Sequence, residues 1–154
     1  FALVQETRAW FDGPIALSGA IATGNAVLAA RAMGADFGYI GSAFIATTEA
    51  HATDAYKQAV VNGQASDIVY TNLFTGVHGN YLKGSIASAG LDPDHLPDAD
   101  PSKMDFSTAG GAAKAWKDIW GCGQGIGLIE KVQPAQALID QLAAQYAAAK
   151  ASLS

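Results

Sequence analysis

Two short, uncharged glycine turns constrain the fold of this chain more than any other feature. They are Ser18-Gly19-Ala20, the first turn, and Gly41-Ser42-Ala43, the second turn. Each follows a short apolar run, over residues 14–17 and 37–40, and such runs bounded by glycine are typical of strands in a buried parallel sheet. The spacing leaves room for one helix between the strands. The pattern therefore predicts a βαβ unit with a glycine turn at the carboxyl end of each strand.

The segment between the two turns carries the signals of that helix. Thr23 is a suitable N-cap residue, the helix body is expected over 25–33, and Gly34 is well placed to end it. Neither 13–30 nor 37–48 contains Lys, Arg, Asp or Glu. An anion at the turns must therefore be held by backbone N–H groups and helix N-termini, which indicates a cofactor phosphate.

Further helices are predicted on both sides of this unit. Residues 1–11 have the apolar spacing of the tail of an amphipathic helix, so we expect the chain to start inside an element. A helix is expected over 49–61 with Thr48 as its cap, another over about 110–120, and a last one over about 134–149.

The stretch 64–108 is predicted to be a long surface excursion. Residues 68–75 alternate only weakly, so a strand and an extended loop both stay open there. Residues 76–107 carry three prolines among polar residues, as irregular loops do. Long excursions are often functional lids, and His78 is the histidine best placed in this one to touch a substrate.

The composition argues against several classes of partner. The chain has 154 residues, only nine of them Lys or Arg, and a net charge of −5, so nucleic acid is not an expected partner. No apolar run approaches the ~20 residues of a membrane span and no signal peptide is visible, so a soluble protein is expected. The single cysteine, Cys122, excludes an internal disulfide and fits the reducing cytoplasm.

No metal site is predicted. The five aspartates between residues 92 and 105 lack the Gly and Glu that a calcium loop of the EF-hand type requires. His51 falls in the predicted helix over 49–61 and His95 in the acidic loop, and both are expected to be surface residues.

The order and spacing of several motifs resemble a known family. Residues 17–24, 33–36 and 39–47 resemble the end of the (β/α)8 barrel of the nitronate monooxygenase family, formerly called 2-nitropropane dioxygenases. Residues 120–127, the glycine-rich segment, are similar to a later segment of that family. The resemblance implies an α/β fold: the C-terminal portion of a TIM barrel with additional helices and a long loop excursion. Residues 1–154 would form part of a single FMN-binding barrel domain.

The resemblance also implies FMN as the cofactor. In phosphate-binding barrels the phosphate lies at the loops after the last two strands, where a hydroxyl and a helix N-terminus add to the backbone donors. Six residues are expected to contact FMN, and they are Ser18, Gly19, Ala20, Gly41, Ser42 and Gln124. The residues of the two turns would hold the phosphate, with the helix that follows adding its positive dipole end, while Gln124 would reach the flavin ring or the ribityl chain.

The activity implied is that of an FMN-dependent oxidoreductase that oxidises alkyl nitronates with O2 to a carbonyl compound and nitrite. No segment matches the catalytic histidine of the family, so no catalytic residue is assigned. Two alternatives stay open. One is an FMN-dependent NAD(P)H reductase of the quinone or enoyl/acyl-thioester type, and the other is a non-catalytic half-barrel that needs another chain. The expected partners are a small-molecule substrate, O2, and either a second copy or the missing half of the barrel.

Overall fold

The computed structural model describes residues 2–99 and 118–153. In chain order, the helices and strands are α1 (Ala2–Arg8), β1 (Ala16–Ser18), α2 (Gly24–Ala32), β2 (Phe37–Tyr39), α3 (Ser42–Ile45), α4 (Asp54–Asn62), β3 (Ile68–Thr71), β4 (Gly79–Leu82), α5 (Lys83–Ser88) and α6 (Ala135–Ser152). Short 3-10 helices cover Ala65–Asp67 and Gln124–Leu128. None of the helices in these ranges combines the length and apolar content needed to cross a membrane.

The predicted βαβ unit is confirmed. β1 and β2 pair in parallel, with Ser18 opposite Tyr39. The Thr23 hydroxyl oxygen accepts a hydrogen bond of 3.2 Å from the Ala26 N–H and so caps α2. Gly34 follows the helix with φ of +106°, a left-handed conformation that glycine adopts without a steric penalty.

One face of the β1–β2 pair is uncovered, which corrects the expectation of buried strands. On the covered face, a Cβ on Gly38 would lie 3.1 Å from a Val27 methyl group of α2. On the other face, Phe37 is 61% exposed and Tyr39 is 65% exposed. Parallel strands are buried when layers cover both faces. Within residues 2–99 and 118–153 nothing covers this side, which we call the open face.

Arg8 ties α1 to the far end of the same unit. Its guanidinium donates to the Gly34 carbonyl at 2.7 Å and to the Gly13 carbonyl at 2.8 Å. It also forms an ion pair of 2.7 Å with Asp36, whose carboxylate accepts a 2.8 Å hydrogen bond from the Ile15 N–H. The ends of the strands opposite the turns are therefore fixed by one connected set of polar contacts.

The predicted helix over 49–61 begins later than expected. α4 starts at Asp54, because the Thr53 hydroxyl, not that of Thr48, accepts from the backbone N–H three residues on, at 3.3 Å. Thr48 instead donates to the adjacent Glu49 carboxylate at 2.9 Å. The one-turn helix α3, which begins within the second turn, was not predicted, since a single turn is too short to show helical periodicity.

The stretch 64–99 contains regular structure, which corrects its description as an irregular excursion. Within the range 68–75, where a strand and a loop both stayed open, Ile68–Thr71 forms strand β3 and pairs antiparallel with β4, while residues 72–75 are not part of a strand. The Leu82 N–H of β4 also donates to the Trp120 carbonyl at 2.8 Å, and the Cys122 N–H donates to the Asn80 carbonyl at 3.2 Å. The hairpin is thereby joined to the glycine-rich segment. Most of the helix predicted over 110–120 lies outside the described residues.

The core anchors the chain next to each glycine turn. The largest cluster is built around Val60 and Ile126, both fully buried, and Leu138 of α6. Ala22 and Ala43, just beyond the first turn and at the end of the second, belong to this cluster with exposures of 6% and 3%. α6 covers it from Ala135 onward, close to the predicted bounds of the last helix.

Candidate functional site

A cavity of about 170 Å³ lies at the carboxyl ends of β1 and β2. Five residues predicted to bind the cofactor line it, and they are Ser18, Gly19, Ala20, Gly41 and Ser42. The two turns, separated along the chain by a helix, therefore meet at one site. Their role in binding a cofactor stays a prediction.

The first turn lines the cavity with backbone in an unusual conformation. Gly19 has φ of +105° and Ala20 has φ of +54°. The left-handed region costs a residue with a Cβ about 1 kcal/mol or more, and such conformations often occur at binding sites. A Cβ on Gly19 would meet no atom within 4 Å. Glycine is therefore required at position 19 by the backbone conformation, and the space beside it is open to a ligand.

The second turn presents the start of α3 to the cavity. Gly41 precedes α3, and a Cβ built on it would meet nothing within 4 Å. The first N–H groups of a helix lack partners within the helix, so the N–H of Ser42, which lines the cavity, is suited to an anion. The helix that begins at the cavity is thus the unpredicted α3.

The N-terminus of α2, by contrast, is bonded to another helix of the chain and is not free for a ligand. The Gly24 N–H donates to the Gln145 side-chain oxygen of α6 at 2.9 Å, and Gly24 is buried. α2 follows the first turn, but its first N–H group serves a contact between helices. Of the two helices that follow the turns, only the shorter one is available to the cavity.

The glycine-rich segment, in which only Gln124 was expected to contact the cofactor, forms a third wall of the cavity. Gly123 and Gly125 both line it. The Gly123 N–H donates to the Ser42 hydroxyl oxygen at 2.7 Å. A Cβ on Gly125 would lie only 2.7 Å from the Ala20 carbonyl oxygen. The segment therefore contacts both turns closely, and the Ser42 hydroxyl keeps its hydrogen for donation to a ligand.

Gln124 is not among the residues that line the cavity. It is exposed and begins the 3-10 helix after Gly123. Tyr39, in contrast, lines the cavity and was missed. The position of Tyr39 in the sequence could have indicated this. Tyr39 is the last residue of β2 and lies two residues before Gly41, and alternate residues of an extended chain point to the same side.

The electrostatic environment of the cavity is neutral. No charged side chain lines it among the described residues. Burial raises the pKa of the nearby Cys122 thiol to about 12 and is the main cause that raises the pKa of Tyr56 to about 12. Tyr56 donates its hydroxyl hydrogen to the Gly121 carbonyl and stacks on Trp120, with ring centroids 5.1 Å apart. Both groups are therefore protonated at neutral pH, and Cys122 lacks the lowered pKa that is typical of a reactive cysteine.

The three histidines lie elsewhere. His51 is exposed and lies before α4, not within a helix as predicted. His95 Nδ1 donates a 2.7 Å hydrogen bond to the Asp92 carboxylate on the surface. His78 is exposed and stacks on Tyr70, with ring centroids 4.9 Å apart. Across 2–99 and 118–153, no group of three or more His, Cys, Asp or Glu side chains has the geometry to hold a metal ion.

The family model described as nitronate monooxygenase matches residues 1–145. A nitronate monooxygenase of Paraburkholderia phytofirmans is 30% identical over 135 residues, which are 84% of this chain and 37% of that protein. A probable nitronate monooxygenase of Staphylococcus saprophyticus is 26% identical over 151 residues, 93% of this chain and 41% of that protein. The chain therefore spans less than half the length of these curated relatives.

Two solved structures share the fold along nearly the whole chain. A nitroalkane oxidase from Streptomyces ansochromogenes is 29% identical with a TM-score of 0.76, covering 99% of this chain and 45% of that one. FabK from Thermotoga maritima has a TM-score of 0.74 at 21% identity, covering 98% of this chain and 50% of that one. The architecture is thus that of a partial (β/α)8 barrel, as predicted.

Proposed function

The chain belongs to the nitronate monooxygenase family, and from that premise we propose that its two glycine turns bind the phosphate of FMN in a flavin-dependent oxidoreductase. The observation that carries the proposal is the meeting of both turns at one uncharged cavity, at the carboxyl ends of two parallel strands. That is the place where barrels of this architecture bind phosphates.

The cavity suits a phosphate held by backbone groups. The start of α3 supplies N–H groups that lack helical partners, and the Ser42 hydroxyl adds a side-chain donor. Gly41 leaves the space in front of these donors open. Because no Lys or Arg lines the cavity in the described part of the chain, binding depends on hydrogen bonds from backbone N–H groups and the Ser42 hydroxyl.

The third wall favours a terminal phosphate. Gly125 lies against the Ala20 carbonyl and Gly123 against the Ser42 hydroxyl, so one side of the cavity is closed by backbone. FMN ends in a phosphate monoester, which needs no space beyond this wall. In FAD the diphosphate continues into adenosine, which would need space there. This supports FMN over FAD. Tyr39, at the cavity on the open face, is placed to contact the part of the cofactor that leaves the phosphate site.

The flavin supplies the redox chemistry when bound, because it accepts two electrons or a hydride from a substrate. The residues of this chain bind and orient its phosphate end. The reaction we propose is the oxidation of an alkyl nitronate with O2 to a carbonyl compound and nitrite. We assign no catalytic residue. The cysteine and the histidines that the structure describes do not line the cavity, and the chain spans less than half of its relatives. We propose a cytoplasmic location.

Binding of three flavins to the purified chain tests the cofactor assignment. FMN is expected to bind more tightly than riboflavin, which lacks the phosphate, and more tightly than FAD. Gly41→Val, which fills the open space before α3, is expected to remove the difference between FMN and riboflavin. Equal affinities of the wild-type chain for FMN and riboflavin would contradict the proposal.

The reaction is tested on the protein isolated at its natural length and loaded with FMN. Propionate 3-nitronate should bleach the flavin anaerobically and drive O2 uptake in air, whereas an absence of turnover would exclude the nitronate reaction. Anaerobic bleaching by NAD(P)H alone would favour the reductase alternative. If the natural protein has the mass of this chain and neither substrate bleaches it, the non-catalytic half-barrel becomes the better description.

A further inference from the structure

The C-terminal helix α6 contacts the chain just beyond the first turn through backbone atoms. The Gly24 N–H donates to the Gln145 side-chain oxygen at 2.9 Å. A Cβ built on Gly24 would overlap the Leu142 carbonyl oxygen and the Tyr146 nitrogen, so only glycine allows the two helices to approach this closely. The position of the α2 N-terminus, four residues after Ala20, is therefore set by the middle of α6.

The beginning of α6 is fixed to the chain that follows the second turn. The Gln133 N–H donates to the Ala46 carbonyl at 3.2 Å, and the Thr48 N–H donates to the Gln133 carbonyl at 3.1 Å. Both carboxylate oxygens of Glu49 accept from the Ala135 N–H, at 2.9 and 3.1 Å. Ala46 directly follows α3, so these bonds connect the N-terminus of α6 to the helix that faces the cavity.

The single helix α6 is thus hydrogen-bonded to the residues that follow each of the two turns. We propose that α6 is a strut that sets the separation of the two phosphate-binding turns, with Gln145 and Glu49 as its positioning residues. The proposal rests on the proposed function, since it assumes that the turns hold a phosphate. Two turns that bind one phosphate must lie at a fixed distance from each other. A helix that fixes this distance affects binding although it does not touch the ligand.

Three variants of the chain test the strut. Gln145→Met keeps the length of the side chain and removes the acceptor for Gly24, while Gln145→Glu keeps an acceptor oxygen. Gln136→Met is the matched control, since Gln136 lies on the same helix, is exposed, and bonds only to Asp140 of that helix at 2.9 Å.

Amide hydrogen exchange without any ligand is the first measurement. Gln145→Met is expected to raise exchange over residues 18–26 by about tenfold, the effect of losing one hydrogen bond to a buried N–H. Gln145→Glu and Gln136→Met should exchange as the wild type does. Unchanged exchange over 18–26 in Gln145→Met would overturn the strut.

The affinity for FMN is the second measurement. Gln145→Met should bind FMN about five- to tenfold more weakly than Gln136→Met, at a temperature where both are folded. Gln145→Glu should restore the affinity. Equal affinities in Gln145→Met and Gln136→Met would overturn the proposal, and so would an equal loss in both Gln145 variants.

A third measurement needs no variant, so it remains decisive if Gln145→Met fails to fold. Because coupling between two sites is reciprocal, FMN should slow amide exchange over residues 142–146, which do not line the cavity. Equal amide exchange rates over residues 142–146 with and without FMN would contradict the strut. If the wild-type chain binds no FMN, the cofactor assignment fails on its own, and the exchange comparison over 18–26 still decides the strut.

Discussion

At the scale of single residues, the glycines of the site have different physical reasons to be glycine. Gly125 is required by space, because its Cβ would lie 2.7 Å from the Ala20 carbonyl oxygen. Gly41 has open space beside it and a φ of −110°, which any residue adopts. A substitution at Gly125 therefore disturbs packing, whereas one at Gly41 intrudes on the cavity alone.

This contrast gives a matched pair of variants. Gly125→Ala is expected to lower the free energy of unfolding by about 1–3 kcal/mol, the usual range for overpacking, and to weaken FMN binding. Gly41→Ala should leave the melting temperature nearly unchanged and weaken FMN binding only. Thermal unfolding and an FMN titration of both variants measure this. A larger loss of stability in Gly41→Ala than in Gly125→Ala would contradict the geometry of the third wall.

Asp36 gives the chain a pH dependence at the opposite end of the strands. The hydrogen bond from the Ile15 N–H, and then that from the Arg8 guanidinium, lower the pKa of the Asp36 carboxyl from its ordinary value. A lowered folded-state pKa stabilises the fold above the unfolded pKa, near 4, and this stabilisation is lost as pH falls through the folded value.

Melting temperatures measured between pH 2 and 7 check this expectation. Asp36→Asn should lower the melting temperature at pH 7 and flatten the decline between about pH 5 and 2. Asp12→Asn, at an exposed position nearby, should change neither. If the melting temperature of Asp36→Asn falls with pH as steeply as that of the wild type, other carboxylates cause the acid sensitivity.

At the scale of elements, short helices and caps depended on contacts that local sequence does not contain. Thr48 and Thr53 both precede residues suited to a helix, and the sequence favoured Thr48. In the structure Thr53 caps the helix instead. Glu49, the residue after Thr48, is bound to the start of α6 and is therefore not part of a first turn of α4. α3 and β4 are too short to show a period, so their existence followed only from tertiary contacts.

The corrected cap of α4 makes a prediction of its own. Thr53→Ala should reduce the free energy of unfolding by about 1 kcal/mol, because the Tyr56 N–H loses its acceptor. Thr48→Ala should have a clearly smaller effect, since the Thr48 hydroxyl bonds only to an exposed carboxylate. Denaturant unfolding of the two variants measures the difference. The reverse order would favour a helix that begins at Glu49.

At the scale of the whole molecule, the open face is the feature that most needs a partner surface. Phe37 and Tyr39 are more than half exposed on a pair of parallel strands, and the described residues place no third strand beside either of them. In the curated relatives, more than half of the chain lies beyond the part that matches here. We expect the open face to be covered by further barrel strands or by a second copy.

Association of the chain at different concentrations tests this expectation. The wild-type chain should bind a hydrophobic dye and form concentration-dependent oligomers in size-exclusion chromatography, because an exposed apolar face favours contact. Phe37→Ser should reduce both effects. Leu153→Ser is the control, since Leu153 is 82% exposed and directly follows α6 rather than belonging to either strand. A chain that stays monomeric and does not bind the dye would contradict the role of the open face.

Local sequence was sufficient to predict the βαβ unit, its N-cap at Thr23, its stop at Gly34 and the two uncharged turns. These follow from signals within a few residues, such as capping side chains, glycine and short apolar runs. The resemblance then indicated the barrel and grouped five residues that the structure brings to one cavity.

The residues that complete the cavity and those that hold its turns in place could be identified only from the three-dimensional contacts. Gly123 and Gly125 form its third wall from about a hundred residues away along the chain, and Gln145 occupies the helix end that the sequence offered to the phosphate. The open face likewise became visible only in three dimensions. Each depends on which distant segments meet, and local sequence signals carry no information about such contacts.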